Sequence, residues 1–161
     1  MRARDLAEEY EAVSFDSDAL DAARLMAEHR LPALLVLDER GEPKAILPAS
    51  QMVKTLVPSY VIDDPALASV IDEKHADRLC ASLAGRRVGD CLPRTTAPPP
   101  IAAPDDTALE VAALMGRVRS PLVAVAEKTK GGTRLIGVIT ASHLLHELLR
   151  SASAPAAGTG P

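Results

Sequence analysis

Two arginines stand at matching distances before a proline, and their chemistry suits an anion. Arg30 lies two residues before Pro32, and Arg119 lies two residues before Pro121. A guanidinium group can bind phosphate oxygens through two parallel hydrogen bonds, so phosphate is the group that such arginines would serve. The simpler interpretation is that each arginine is a solvated cation at a helix end, where it complements the negative end of the helix dipole. The residues alone leave both interpretations open.

A second candidate is a turn from a strand into a helix near the end of the chain. Gly137 and Thr140 lie in the predicted turn, and Ser142 and His143 begin the predicted helix. The N-terminus of a helix presents free backbone N–H groups to an anion, and hydroxyl and imidazole groups can add hydrogen bonds. The matching stretch of the first half, residues 45–51, ends in a serine and a glutamine.

Other chemistry finds little support in the sequence. His143 and His146 lie one helical turn apart, but no further ligand follows at a spacing typical of a metal site. Cys80 and Cys91 also lack metal-ligand spacing. The chain contains no nucleophile motif, no P-loop and no GxGxxG. We therefore expect no catalysis, no metal and no cofactor.

The elements that would position these residues occur twice in the chain. Residues 18–36 align without a gap on residues 107–125, and the match resumes where residues 46–52 fall on residues 138–144. Identical residues recur at Ala19/Ala108, Leu20/Leu109, Ala23/Ala112, Leu25/Leu114, Met26/Met115, Arg30/Arg119, Pro32/Pro121 and Val36/Val125. An internal repeat of this kind indicates two copies of one supersecondary unit.

Each copy is predicted to fold as a strand, a helix, two strands and a second helix. Helical spacing of apolar residues, the breaks at the prolines and the short continuous apolar runs support this order. In the first copy we expect a strand at 12–15, a helix at 18–29, strands at 33–37 and 44–47, and a helix at 49–57. In the second copy we expect a strand near Ile101, a helix at 106–117, strands at 122–126 and 134–139, and a helix at 141–150.

Between the copies, the sequence predicts an amphipathic helix from Asp64 to Leu83. Asp64 suits the N-cap, Pro65 the first helical position, and Gly85 the stop. Such a helix either packs on its own module or forms a dimer or partner interface. The predicted organisation is a first repeat at 1–61, this helix with its linker at 62–87, a second repeat at 88–150, and a disordered tail at 151–161.

The bulk composition restricts the class of protein. The chain has 161 residues, 47% hydrophobic and only 2% aromatic, with a formal net charge of −4. That balance argues against nucleic acid as a partner, because neither a basic face nor a stacking platform is indicated. The longest apolar run, Leu31–Leu37, is too short for a membrane helix, and the first residues lack the apolar stretch of a signal peptide. We expect a cytoplasmic protein that has no membrane partner.

The repeated pattern resembles a tandem pair of CBS domains, also called a Bateman module. The residues that carry the resemblance lie at 25–36, 114–125 and 135–143. Val88–Leu92 is similar to the Val-x-Asp lead-in that opens such a repeat, and Ala3–Leu6 is its weaker counterpart. The resemblance implies an α/β (α+β) fold with two β-α-β-β-α repeats related by pseudo-two-fold symmetry, here with an extra inter-repeat helix.

The resemblance also implies a regulatory function. In the family, clefts between the repeats often hold AMP, ADP, ATP or S-adenosylmethionine, and the pairs commonly form homodimers. Because no catalytic domain is recognised in the chain, the output is expected to go to a separate protein partner. The implied ligand-binding residues are His29, Arg30, Leu31, Pro32, Ser50, Gln51, Arg119, Ser120, Pro121, Gly137, Thr140, Ser142 and His143.

One departure from the family pattern leaves two functions open. In the family the turn reads Gly-hydrophobic-x-Thr/Ser-x-x-Asp, and the Asp accepts both ribose hydroxyls. Here Gln51 and His143 stand at the Asp position, and the first copy also has Ala45 and Pro48 in place of the glycine and the hydroxyl residue. The chain is therefore either a regulatory module that binds an adenosine ligand or a ligand-free structural and dimerisation module whose clefts have degenerated.

Overall fold

The computed structural model describes residues 1–70 and 78–153, and it divides the chain into two compact units. One unit combines residues 1–10 with the chain from residue 99 onward, and the other spans residues 11–98. Each unit contains one small three-stranded sheet with helices packed on it. The predicted mixed α/β fold class is confirmed.

The elements follow the predicted order in both copies, and the ends of most lie within a few residues of the predicted ends. In chain order they are α1 (Ala3–Leu6), β1 (Ala12–Ser14), α2 (Ala19–His29), β2 (Ala33–Leu37), β3 (Pro43–Pro48), α3 (Ala49–Leu56), α4 (Ser59–Asp63), a 3-10 helix (Pro65–Val70), α5 (Val88–Cys91), β4 (Ile101–Ala102), α6 (Ala108–Val118), β5 (Leu122–Thr129), β6 (Gly132–Thr140) and α7 (Ala141–Ser153).

The two sheets have the same topology. In one, β1 runs parallel to β2 and β3 runs antiparallel to it; in the other, β4, β5 and β6 repeat that arrangement. The continuously apolar strand predicted at 33–37 is buried from Ala33 to Val36, as expected for a strand covered on both faces. Aliphatic residues and methionines supply each core, since aromatic residues are scarce.

The longer helices begin at polar caps that the sequence made recognisable. The Asp18 carboxylate accepts a hydrogen bond from the backbone N–H of Asp21 at 3.0 Å and so caps α2. At the start of α6, the Thr107 hydroxyl accepts from the N–H of Glu110 at 3.2 Å, while the Glu110 carboxylate accepts from the N–H of Thr107 at 2.7 Å. This reciprocal capping box satisfies two N–H groups that would otherwise lack partners.

The two lead-in segments form matching short helices, α1 and α5. At each start the backbone N–H of an arginine donates to an aspartate carboxylate three residues later, and both distances are 3.0 Å. The helix α1 docks on the second copy, where the N–H of Ala3 donates to the Asp106 carbonyl at 2.8 Å. The helix α5 docks on the first copy, where the N–H of Val88 donates to the Ser17 carbonyl at 2.8 Å. Each short helix therefore belongs to the compact unit of the other repeat: α1 to that of the second copy and α5 to that of the first.

The segment between the copies differs from the single helix predicted from Asp64 to Leu83. Helix α4 ends at Asp63, and residues 65–70 form a 3-10 helix. The Asp64 carboxylate accepts a hydrogen bond from the N–H of Ala66 at 3.3 Å at its start. Residues 71–77 lie outside the described part of the chain, and residues 78–81 are helical. Leu83 is buried, but Leu67 is exposed and so does not belong to a buried apolar stripe.

The C-terminal segment also differs from its prediction. Helix α7 continues to Ser153, so residues 151–153 are helical where a disordered tail was predicted from 151 onward. The Ser153 hydroxyl donates to the Leu149 carbonyl at 3.0 Å and extends the bonding of the last turn. Residues 154–161 lie outside the described residues, so the rest of that prediction is untested.

Gly137 is the glycine whose lack of a side chain the fold most clearly requires. Glu8 pairs with Val138 through two backbone hydrogen bonds of 3.0 and 2.9 Å, which lays residues 7–8 directly over Gly137. A Cβ atom at Gly137 would lie 2.7 Å from the Glu8 carbonyl oxygen and 3.1 Å from the Ala7 Cβ. The N-terminal segment could not approach β6 so closely if residue 137 carried a side chain.

We expect Gly137→Ala to lower the free energy of unfolding by about 1–3 kcal/mol, because backbone atoms must move to admit the methyl group. Gly116→Ala is the matched control. Gly116 lies within α6 and a Cβ there meets nothing within 4 Å, so alanine should stabilise the protein by up to about 1 kcal/mol. Urea unfolding followed by circular dichroism measures both changes. Equal effects of the two substitutions would contradict the close approach at Gly137.

Candidate functional site

Arg30 and Arg119 adopt a rare backbone conformation at the same place in each copy. Each is the C-cap of its helix and lies in the left-handed region, with φ 51° and ψ 45° at Arg30 and φ 53° and ψ 40° at Arg119. They are the non-glycine residues with positive φ in the described part of the chain. A side chain in this conformation costs about 1–2 kcal/mol, and glycine is the usual residue there. Backbone stability therefore does not explain why both positions hold arginine.

The side chains of both arginines are exposed, and no ion pair or hydrogen bond of either guanidinium occurs among the described residues. His29, the last residue of α2, is exposed beside Arg30, and Leu31 is half-buried. In the second copy, the Ser120 hydroxyl donates to the Leu122 carbonyl at 2.7 Å and so fixes the loop that follows Arg119. The two guanidinium groups are thus free to bind an anion.

A backbone hydrogen bond joins the arginine loop of each copy to the strand-to-helix turn of the same copy. The N–H of Ala141, the first residue of α7, donates to the Pro121 carbonyl at 3.0 Å. Likewise the N–H of Ala49, the first residue of α3, donates to the Pro32 carbonyl at 2.9 Å. The structure therefore brings together the two stretches that the sequence singled out in each copy.

In the second copy, the turn is organised by its hydroxyl groups. The Thr140 Oγ1 accepts from the backbone N–H of His143 at 3.1 Å and caps α7. The same oxygen lies 3.3 Å from the Ser142 Oγ. Ser142 is exposed, and the His143 side chain is half-buried with 24% of its surface accessible. The Thr140 and Ser142 hydroxyls therefore lie together at the start of α7, where the half-buried His143 follows.

Glu8 joins this cluster, although the sequence gave no signal for it. Its Oε1 atom lies 3.6 Å from the Nδ1 atom of His143. Both side chains line an open cavity of about 330 Å³, whose walls are Met1, Asp5, Leu6, Glu8, His143, Glu147 and Arg150. Glu8 lies far from His143 in the sequence. The sequence signal nearest to this contact is the glycine at position 137, because the structure shows that the N-terminal segment passes directly over it.

The charges along this cavity are partly paired. The Arg150 guanidinium donates to the Glu147 carboxylate at 2.6 Å, and that hydrogen bond holds the pKa of Glu147 below its usual range. The Asp5 carboxylate accepts from the backbone N–H of Arg2 at 3.0 Å. Glu147 is thus anionic at neutral pH and already engaged.

The corresponding turn of the first copy is used differently. The Nε2 atom of Gln51 donates to the Cys91 carbonyl at 3.1 Å, which ties α3 to α5. Pro48 precedes α3 and provides no side-chain cap, and Ser50 is exposed. Cys91 is buried, and burial raises the pKa of its thiol, as expected for a structural cysteine. The amide of Gln51 therefore holds the fold together within its own unit.

A larger open cavity of about 550 Å³ lies where β1 and β2 end. It is lined by Ser14, Phe15, Asp16, Leu37, Asp38, Glu39 and Arg40. The Asp38 carboxylate accepts hydrogen bonds from the backbone N–H groups of Glu42 and Arg40, both at 2.9 Å, and the first of these is the main cause of its lowered pKa. These bonds form the turn between β2 and β3, so the acidic group there has a structural role.

No group of three or more histidine, cysteine or acidic side chains in residues 1–70 and 78–153 is arranged to hold a metal ion. Over the same residues, every helix is too short or too polar to cross a bilayer.

Comparison with known proteins identifies relatives of both halves. The family model described as "CBS domain" matches residues 3–58 and again residues 88–150. A crystal structure of a CBS domain-containing protein from Kribbella flavida DSM 17836 shares 50% sequence identity and has a TM-score of 0.82. That alignment covers 92% of this chain and 99% of the other. No match is found among curated proteins.

Two more distant structures share the fold. CBSX2, solved in complex with AMP and found in Arabidopsis thaliana, is 17% identical with a TM-score of 0.64, over 94% of this chain and 98% of the other. The CBS domain pair of protein MJ0100, solved with 5′-methylthioadenosine and S-adenosyl-L-methionine, is 14% identical with a TM-score of 0.61, over 95% and 98% of the two chains.

The left-handed arginines allow a direct test of whether they are kept for stability. We expect Arg30→Gly and Arg119→Gly each to raise the free energy of unfolding by up to about 1 kcal/mol, because glycine adopts this conformation without steric cost. Arg117→Gly, in the last turn of the same helix as Arg119, should lower it by up to about 1 kcal/mol. Urea titration compares the three variants. If glycine destabilised all three positions alike, the arginine side chains would have a structural role.

Proposed function

This chain belongs to the CBS domain family, and we propose that it is a regulatory module that binds an adenosine-containing ligand and signals through changed contacts with a partner protein. The ligand class is AMP, ADP, ATP or S-adenosylmethionine. Relatives of the same fold support this class, since one was solved with AMP and another with 5′-methylthioadenosine and S-adenosyl-L-methionine. The proposed role is regulation and not catalysis.

The observation that carries the proposal is the arrangement of the second copy. Arg119 presents a guanidinium with no partner among residues 1–70 and 78–153, from a conformation that favours glycine. The Pro121–Ala141 hydrogen bond links its loop to the turn at Gly137–His143. A phosphate at such a loop would gain charge-assisted hydrogen bonds from the guanidinium. The polar groups of the turn would then bind the sugar.

We further propose that each chain binds one ligand, at the second-copy turn. The first-copy turn lacks the hydroxyl cap, since Pro48 replaces it, and the Nε2 of Gln51 already donates to the Cys91 carbonyl. With Nε2 fixed on the Cys91 carbonyl, the Gln51 amide offers a ligand hydroxyl only its neutral oxygen as acceptor, which forms a weaker hydrogen bond than a carboxylate. Arg30, His29 and Ser50 therefore stay as predicted ligand residues of a weaker or empty site.

The alternative is a ligand-free structural or dimerisation module. The Gln51–Cys91 hydrogen bond favours it, because it shows that one of the two turns has taken a structural role. This alternative predicts that the second turn is also indifferent to ligands. Binding measurements separate the two proposals directly.

We propose that the protein lies in the cytoplasm. The structure contains two free thiols, an exposed one at Cys80 and a buried one at Cys91. Free thiols persist in a reducing compartment, and this supports the proposed location.

Calorimetric titration with AMP, ATP and S-adenosylmethionine tests ligand binding. We expect one ligand per chain and a rise in melting temperature, because a ligand that binds only the folded state stabilises it. Arg119→Gly should keep the fold and weaken binding of the phosphorylated ligands by about tenfold or more, since hydrogen bonds to charged groups are worth about 1.5–3 kcal/mol. Arg117→Ala is the matched control and should bind as the unaltered protein does.

Failure of all these ligands to bind at millimolar concentration would favour the ligand-free module. Binding that is equally strong in Arg119→Gly would place the phosphate elsewhere. Thr140→Ala is a second variant for the same titration, because this substitution removes both the side-chain cap of α7 and one polar group of the turn.

We also propose that the protein forms a homodimer through the second helix of each copy. Val53 on α3 and Leu145 on α7 occupy the same position in the repeat, and each residue is 58% exposed. Leu149 on α7 is exposed beside Leu145, one helical turn away. Exposed apolar groups of this kind suit a surface that a second copy of the chain covers.

Sedimentation velocity tests the dimer. We expect the unaltered protein to sediment as a dimer and the double variant Val53→Lys/Leu145→Lys as a monomer, because buried lysine ammonium groups would be desolvated without partners. Leu109→Lys on α6 is the control, since Leu109 is also exposed but lies on a different helix. A monomeric unaltered protein would contradict the proposed dimer.

A further inference from the structure

The backbone of Glu8 is fixed at the edge of β6. Its N–H donates to the Val138 carbonyl at 3.0 Å, and its carbonyl accepts from the Val138 N–H at 2.9 Å. This pairing is close enough that a Cβ at Gly137 would lie 2.7 Å from the Glu8 oxygen. The direction in which the Glu8 side chain leaves the backbone is therefore set before any ligand arrives, which lowers the entropic cost of using it.

The Glu8 carboxylate is the least engaged of the three that line the cavity of about 330 Å³. Glu147 is held by Arg150 at 2.6 Å, and Asp5 accepts from the N–H of Arg2 at 3.0 Å. Among the described residues, the ionisable partner of Glu8 is His143, whose Nδ1 lies 3.6 Å away, beyond the usual length of a hydrogen bond. The Glu8 side chain is 56% exposed, so its oxygens can accept hydrogen bonds from a ligand.

A vicinal diol needs this kind of group. Two neighbouring hydroxyls donate two hydrogen bonds, and an ionised carboxylate has two oxygens to accept them. A neutral imidazole offers a single acceptor nitrogen, so His143 alone cannot accept both. Hydrogen bonds to the carboxylate are also roughly twice as strong as those to a neutral acceptor.

We propose that Glu8 is the residue that recognises the ribose diol of the ligand, with His143 beside it. The inference rests on the proposed function, because it assigns a specificity-determining residue to that same site. A carboxylate from the N-terminal segment thus stands next to the position where the helix itself carries a histidine.

The first-copy unit lacks each part of this arrangement. Pro93 follows α5 where Glu8 follows α1, and proline has neither a carboxylate nor the backbone N–H that pairs with β6 in the other unit. Ala45 replaces the glycine that admits the segment. The inference therefore agrees with one ligand per chain.

Calorimetric titration with AMP and with 2′-deoxy-AMP tests the role of Glu8. We expect the unaltered protein to prefer AMP by about tenfold or more, because the deoxy ligand leaves one carboxylate hydrogen bond unmade. Glu8→Gln should lose that preference and bind AMP about tenfold more weakly. Glu9→Gln is the matched control: its side chain is exposed and adjacent, and it should behave as the unaltered protein does.

A rescue variant separates recognition from a structural effect. Adding His143→Asp to Glu8→Gln returns a carboxylate to the start of α7, and we expect it to restore the preference for AMP. Thermal unfolding of every variant confirms the fold, and Glu8→Asp, which keeps the charge on a shorter side chain, should retain part of the preference.

The outcomes distinguish this inference from the proposed function. If Glu8→Gln binds AMP and keeps the full preference over 2′-deoxy-AMP, Glu8 does not recognise the diol, although the proposed function stands. If Glu8→Gln weakens both ligands equally, the carboxylate acts on another part of the ligand and the inference is overturned. If the unaltered protein binds no adenosine ligand, the proposed function and this inference fail together.

Discussion

One backbone hydrogen bond in each copy holds the candidate site together. A proline carbonyl, at Pro32 or Pro121, accepts the first N–H of the helix that follows the two later strands. The proline ends the first helix and cannot itself donate, and its carbonyl satisfies an N–H that no residue within the new helix could bind. This bond joins the loop that precedes the middle strand to the first residue of the helix that follows the last strand, so the loop and the helix start are fixed against each other. The arginine and the polar turn are neighbours for this reason.

The two copies share this scaffold but use their side chains for different purposes. In the first copy, Gln51 reaches across to the Cys91 carbonyl and secures α5. In the second copy, the residue at the same position is His143, which faces the Glu8 carboxylate from the docked N-terminal segment. Helix α5 docks on the first copy, and there the Gln51 amide bonds to it. The segment that follows α1 docks on the second copy, and there the turn stays lined with polar groups. A glycine at 137 and an alanine at 45 fit this difference, because only the glycine admits a chain at close range.

The sequence predicted the elements well because their signals are local. Asp18 and Thr107 could be recognised as helix caps, the prolines as helix ends and the run at 33–37 as a buried strand. The arginine loops and the turn at Gly137 were also found, since they recur in register.

The features that the sequence did not predict depend on contacts between distant residues or on details of backbone geometry. Glu8 carries no motif, and its place beside His143 follows from strand pairing with Val138, which no local pattern encodes. The left-handed backbone at Arg30 and Arg119 was equally invisible, because the residue type that normally reveals it is glycine. The 3-10 helix after Asp64 was mistaken for an α-helix, since both begin with the same capping residues.

The left-handed arginines bear on the choice between a ligand-binding and a purely structural module. A structural module has no use for an exposed guanidinium that makes no contact in the described residues, and it would be more stable with glycine at both positions. Each arginine instead retains about 1–2 kcal/mol of backbone strain. Strained residues of this kind concentrate where the side chain or the local geometry serves binding. In the first copy, Gln51 bonds to the Cys91 carbonyl, while Arg30 keeps its left-handed backbone. The hydrogen bond of Gln51 therefore does not explain the strain at Arg30. At Arg119, the proposed contact with a ligand phosphate would give a physical reason for keeping the side chain.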